Sequence, residues 1–171
     1  QIRDALASRT IRPYITDDMI GVQIGGAVKN VIAIGSGIVT GRGLGESARA
    51  ALITRGLAEM ARLSAAMGGT KETLMGMCGV GDLILTATSM QSRNYSCGVA
   101  LGEGRTMKEI LGERRSVTEG VHTAEALMVI AQRNAVDMPV CAAVHKCLSE
   151  GCSIEDMVDD LMDRPLRPEV G

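Results

Sequence analysis

The chain has no phenylalanine and no tryptophan, and its tyrosines are only Tyr14 and Tyr95, although 46% of its 171 residues are apolar. A core without large rings has to be filled by Ala, Leu, Ile, Val and the eleven methionines, residue types that favour packed helices over sheet. Excess charge is lacking too. With 18 basic and 20 acidic residues the formal net charge is -2, which provides no global attraction to nucleic acid or anionic lipid, so any anion site has to be local. No stretch of about 18 apolar residues is free of charge and no signal-peptide pattern is present, so we expect a soluble, cytoplasmic protein with no membrane span. The five cysteines (Cys78, Cys97, Cys141, Cys147, Cys152) include no Cys-x-x-Cys pair, and His122 and His145 have no ligand-like spacing to them. They read as reduced thiols, and no metal is expected. The chain opens on Gln1, which we read as a piece of a longer polypeptide.

What is there is helical pattern, broken by caps and glycines. Residues 1–16 lack the helical periodicity seen from residue 17 onward, and Arg12-Pro13-Tyr14-Ile15 reads as a short extended piece at the tail of a preceding domain. Asp17 or Asp18 caps a long helix to about Val39, which the GRGLG run at 41–45 ends. A second helix closes at Gly68-Gly69. A third segment starts near Thr70, a short helix carries Asp82 near its N-terminus, and another begins near Ser92. Thr106–Glu109 and Ser116–Glu119 both have capping-box spacing. Two final helices are expected at about 139–150, opened by Pro139, and 154–163, capped by Ser153. No strand alternation occurs after residue 17, so the fold class is all-α, with a helical domain over 17–165 and a frayed 166–171.

The densest chemical signal is GGAVKNVIAIGSG at 25–37. On a helix, Gly25, Gly26, Ala33, Ser36 and Gly37 share a face with Lys29, making a trough of small side chains around one ammonium. Glycine costs a helix roughly 1 kcal/mol relative to alanine, so something must come close to that face: another helix or a ligand. A second constellation is GVGDLILTATSMQSRN at 79–94. Asp82 and Thr86 stand one helical turn apart, and Ser92, Arg93 and Asn94 stand where the next helix begins. Unpaired N–H groups there, joined by a guanidinium, a hydroxyl and an amide, suit a phosphate, although caps and a surface arginine would account for the same residues. Gly41-x-Gly43-x-Gly45 and Gly79-x-Gly81 come after no strand and precede no Walker lysine, and are read as turns. His122 and His145 read as core or surface histidines. Glu119 is either a capping residue or a carboxylate that meets a ligand ribose.

Three segments in order and spacing, GVQIGGAVKNVIAIGSGIVTGRGLGESARAALITRGLAEM, GMCGVGDLILTATSMQSRN and VTEGVHTAEAL, resemble the C-terminal helical domain of the bacterial-type NAD(P)-dependent glycerol-3-phosphate dehydrogenases. The resemblance runs from about residue 12 to 163. It implies a 6-phosphogluconate-dehydrogenase C-terminal-like fold and the reversible NAD(P)H-dependent reduction of dihydroxyacetone phosphate to glycerol 3-phosphate for phospholipid synthesis. It also implies roles for individual residues. Lys29 and Asp82 are catalytic, and Lys29, Asn30, Asp82, Thr86, Ser92, Arg93 and Asn94 bind substrate. Arg93, Val117 and Glu119 touch the NAD or NADP. Ser47 departs from the usual asparagine. The larger departure is that the family's Rossmann half, which holds the main dinucleotide site and a further lysine, is absent from these residues, so the isolated chain is expected to be inactive. Two other readings compete: a helical module for homodimerisation, and the helical domain of a related 3-hydroxyacid dehydrogenase, against which the Ser92-Arg93-Asn94 group argues.

Overall fold

A computed structural model describes residues 2–113, 119–150, 158–159 and 163. Among them the elements are helical: α1 (Ile2–Leu6), α2 (Met19–Gly41), α3 (Glu46–Ala66), α4 (Lys71–Leu74), a π-type turn (Met77–Gly81), α5 (Asp82–Thr88), α6 (Arg93–Gly102), α7 (Met107–Glu113), α8 (Glu119–Arg133) and α9 (Pro139–Glu150). The all-α expectation holds, and so do the expected starts at Asp18, Thr70, Ser92, Thr106 and Pro139. Residues 1–16 differ in one respect. Residues 2–6 form a short helix that buries nothing, so no apolar stripe announces it. The capping serine Ser116, Val117 and most of the expected 154–163 helix lie outside the described residues.

The molecule is organised around α2, which touches α3, α4, the π-turn, α5, α6, α8 and α9. Its best 18-residue window has a mean hydropathy of 1.4, enough by length and composition to cross a membrane, and 72% of that window is buried inside the fold. An all-round apolar helix is what a core helix enclosed by others requires. Val28, Val31, Ile32, Ala33, Ile34 and Ile38 are fully inaccessible.

Glycine sets how close α6 comes. Gly37 and Gly41 on α2 meet Gly98 and Gly102 on α6, each pair one turn apart. A Cβ at Gly98 would lie 2.0 Å from the Ile34 carbonyl oxygen, and one at Gly41 would lie 2.2 Å from that of Val99. Backbone thus packs on backbone, and no larger residue fits without separating the two helices. Between α2 and α3 the chain reverses through Gly43 (φ +70°) and Gly45 (φ +92°), positive-φ conformations that account for those two glycines of the 41–45 run, whereas Gly41, read from sequence as part of a turn, is the last residue of α2 and packs on α6.

A carboxylate pins the start of the central helix. Asp18 caps α2 by accepting from the Gly21 N–H (2.7 Å), and it also accepts from the Thr70 N–H (2.8 Å) and hydroxyl (3.1 Å), tying α2 to the start of α4. The Gly21 and Thr70 backbone donors lower its pKa from 3.8 to about 2. A carboxylate whose folded-state pKa is depressed contributes stability that is present above the unfolded value and lost as pH falls through the folded one. The Asp18 contribution should therefore persist at neutral pH and disappear between about pH 4 and pH 2. Chemical denaturation of wild type and Asp18→Asn should converge over that window; a gap that stays constant down to pH 2 would show that Asp18 holds the helix through shape and not through charge.

Candidate active site

α2, the π-turn and α5 together place the ion pair. Gly25 lets the π-turn approach, since a Cβ there would lie 2.5 Å from the Cys78 carbonyl oxygen. Gly79 is enclosed more tightly still, 1.9 Å from that of Leu74. The turn closes with the Gly81 N–H donating to the Gly76 carbonyl at 3.2 Å, a wide i to i+5 geometry that is frequent at functional sites. It delivers Asp82 as the first residue of α5, facing α2. There Lys29 Nζ donates to Asp82 Oδ2, and Thr86 Oγ1 donates to Asp82 Oδ1 at 3.2 Å. The lysine side chain is 19% exposed and the aspartate 34%, so the pair is shielded by protein on one side and open on the other. Charge-assisted bonds in such a setting orient both groups strongly.

Beside this pair runs a chain of amides that the sequence did not announce as connected. Asn30 Nδ2 donates to the Gly26 carbonyl (3.3 Å), Asn94 Nδ2 donates to Asn30 Oδ1 (3.0 Å), and the Gly120 N–H donates to Asn94 Oδ1 (2.9 Å). Both asparagines are buried. Every link has an amide N–H meeting a carbonyl oxygen, so the chain crosses from α2 through α6 to the first turn of α8 without an unsatisfied group. Gly120 has to be glycine because a Cβ would lie 2.7 Å from both Asn94 Oδ1 and Ile34 Cδ1.

At the mouth, Ser92 caps α6 by accepting from the Tyr95 N–H at 3.2 Å. Arg93 comes next as the first residue of α6 and donates to Glu119 Oε1 at 3.0 Å across an exposed gap. An exposed pair of this kind contributes little to stability. The residues thus fall into three groups, the Lys29–Asp82–Thr86 ion pair, the amide chain through Asn30 and Asn94, and the Arg93–Glu119 pair, with Ser92 at the same helix start as Arg93 and Asn94. Val117 lies outside the described residues. His122 is exposed and His145 half-buried.

The trough around Lys29 is smaller than its sequence implies. Ala33 is fully buried, Ser36 is buried and donates to the Ala87 carbonyl at 2.6 Å, Gly37 is closed by α6 and Gly25 by the π-turn. Helix packing consumes those four positions, and Gly26 is the one left facing open space.

Glu59 was not anticipated. It is 1% exposed on α3, and its two carboxylate oxygens accept from the Val140 N–H (2.6 Å) and the Cys141 N–H (3.1 Å). Burial raises its pKa, against the lowering effect of those two bonds. α9 starts at Pro139 and is preceded by Met138, whose side chain offers no good acceptor, so α3 supplies the cap. The signal was present: Glu59 falls on the stripe Leu52, Gly56, Leu63 that α3 buries.

Comparison with known proteins extends this picture. Residues 18–159 match the family model described as NAD-dependent glycerol-3-phosphate dehydrogenase C-terminus. A glycerol-3-phosphate dehydrogenase [NAD(P)+] of Rhodospirillum rubrum is 59% identical over 98% of this chain and 48% of its own length, and that of Caulobacter vibrioides is 48% identical over 98% and 51%. The crystal structure of the Coxiella burnetii glycerol-3-phosphate dehydrogenase superposes with a TM-score of 0.90 at 45% identity, covering 95% of this chain and 50% of that one. The Saccharomyces cerevisiae enzyme gives 0.84 at 25% identity over 95% and 48%. The class is therefore an all-helical domain of the kind carried by dehydrogenases about twice as long, and the chain spans about half the length of the curated relatives it matches. Within that class, it belongs to the family of NAD-dependent glycerol-3-phosphate dehydrogenase C-terminal domains.

Proposed function

We propose that residues 17–165 form the substrate-binding and catalytic half of a cytoplasmic glycerol-3-phosphate dehydrogenase, reducing dihydroxyacetone phosphate with NADH or NADPH to supply glycerol 3-phosphate for phospholipid synthesis. The observation that carries this reading is the Lys29–Asp82–Thr86 group, half-shielded and open on one side, within a domain of this family. Residues 1–16 belong, in this reading, to the end of a nucleotide-binding half. In support, Ile2, Leu6, Ile11, Tyr14 and Ile15 are 58–79% exposed, an apolar surface suited to burial against more protein.

When bound, the reduced nicotinamide supplies a hydride to the ketone carbon. The chain's own residues do the rest. Lys29 donates a proton to the oxygen as negative charge develops on it, so that carbonyl plus hydride plus proton yields the alcohol. Asp82 holds the ammonium at the required place, and Thr86 holds Asp82. Arg93, at the start of α6, releases Glu119 and binds the phosphate together with Ser92 and the backbone N–H groups of the first turn. Asn30 and Asn94, which adjoin Lys29 and Arg93 in the chain, contact the substrate at the base of the site in this reading, and their bonds to each other and to the Gly120 N–H hold α6 and α8 against α2. Arg93 and Glu119 form only an edge for the dinucleotide, an exposed cation and carboxylate suited to a phosphate and a ribose hydroxyl.

The test is oxidation of NADH and NADPH by dihydroxyacetone phosphate, catalysed by the full-length polypeptide, with residues 1–171 alone beside it. Turnover that requires the longer chain is expected; a folded full-length protein that binds dinucleotide and ignores dihydroxyacetone phosphate would overturn the reading. Because Arg93 acts on the phosphate, remote from the reacting carbon, Arg93→Ala should raise KM for dihydroxyacetone phosphate by about tenfold or more with a smaller change in kcat. An unchanged KM would remove Arg93 from the phosphate site.

A further inference from the structure

α2 contains six glycines, and five of them are explained by packing. A Cβ at Gly21, Gly25, Gly35, Gly37 or Gly41 would come within 2.9 Å or less of a protein atom, whereas one at Gly26 would meet nothing within 4 Å. Gly112 is equally open, but it stands exposed near the end of α7, where a glycine weakens little. Gly26 is different in two respects. It sits in the central helix, where glycine is the poorest residue apart from proline, and it precedes Lys29 by one turn on the same face. Its carbonyl is engaged by Asn30, so the backbone there is held in place. Nothing in the fold calls for the absence of a side chain at this position.

We infer that Gly26 determines substrate fit: the hydroxyketone end of the bound three-carbon substrate lies against its bare backbone. This rests on the function proposed above. The geometry is consistent along the helix face. A phosphate held at the start of α6 and a ketone oxygen at Lys29 leave the remaining carbon and its hydroxyl to extend toward the neighbouring turn of α2. At that turn a Cβ, and still more a branched side chain, would fill the space the substrate needs, while the protein itself would lose no contact.

The experiment compares Gly26→Ala and Gly26→Leu with wild type in the full-length polypeptide. Both replacements are strong helix formers, so melting temperatures should equal or exceed that of wild type. KM for dihydroxyacetone phosphate should rise by about tenfold in Gly26→Leu and less in Gly26→Ala, while the dissociation constant of NADH, read by its fluorescence, stays within about twofold. A lowered melting temperature in Gly26→Ala would make the glycine structural and overturn the inference. So would a KM for dihydroxyacetone phosphate within about twofold of wild type in Gly26→Leu, or a change confined to NADH. Wild type that is itself inert toward dihydroxyacetone phosphate is a separate result, which removes the proposed function before Gly26 is considered.

Discussion

Lys29→Met in the full-length polypeptide should lower kcat for dihydroxyacetone phosphate reduction by a factor of about 10² to 10⁴, the range typical for loss of a positioned general acid. Methionine is nearly as long and can follow the same path from α2 toward α5, so the fold has little reason to change. What disappears is the proton and the positive charge beside the developing alkoxide, interactions made mainly in the transition state, and kcat should therefore fall together with kcat/KM. NADH binding and the melting temperature provide the controls. Turnover equal to wild type would end the acid assignment for Lys29. Asp82→Asn gives an independent reading, because it keeps the shape of the Asp82 side chain while removing the charge that the ammonium and the Thr86 hydroxyl both engage. It should reduce kcat less than Lys29→Met does, since the donor is retained and only its orientation is loosened.

The second large effect lies far from the chemistry. Glu59→Ala removes the acceptor of two buried N–H groups, those of Val140 and Cys141, and leaves a cavity between α3 and α9. Orphaned buried donors cost about 1–3 kcal/mol each, so a loss of roughly 3–5 kcal/mol is expected, a large part of the total for a domain of this size. Glu59→Gln keeps the volume but can offer only one carbonyl oxygen to two donors, and its amide nitrogen opposes an N–H. It should be destabilised almost as much. Denaturant unfolding of all three proteins measures this, and a Glu59→Gln variant as stable as wild type would show that burial already keeps the carboxyl neutral. The pH response has the opposite sign to that of Asp18. Because burial raises the folded-state pKa of Glu59 above 4.5, the folded protein holds that proton more tightly than the unfolded chain, and the cost of the buried charge is relieved as pH falls toward 4.5. Mild acid therefore does not weaken the molecule through Glu59, whereas stronger acid weakens it through Asp18.

Much of the fold was legible because its signals are local. Asp18, Thr70, Ser92 and the Thr106–Glu109 box cap the helices they announce, and Pro139 opens the helix it announces, since caps act within one turn of chain. The Lys29 face was legible as an unusual run of small residues. Its division was not. Helical spacing puts Gly25, Gly26, Ala33, Ser36 and Gly37 on one side of a cylinder, but which of them meets α5, α6 or the π-turn depends on where those elements cross. The pairing of Asn30 with Asn94, 64 residues apart, and of Glu59 with Val140, 81 apart, was invisible for the same reason.

Helix content, cap positions and the chemical identities of the site, a lysine, an aspartate, an arginine and hydroxyls, are set by the order of residues, because propensity and capping act over one or two turns. Which small residues pack and which stay open, and that Lys29 meets Asp82 while a Cβ at Gly26 would meet nothing, are set only by the crossing of α2 with its neighbours. Close packing between helices is decided by atoms far apart in the chain, and a carboxylate or an amide in the interior has to find its partner wherever the fold delivers one.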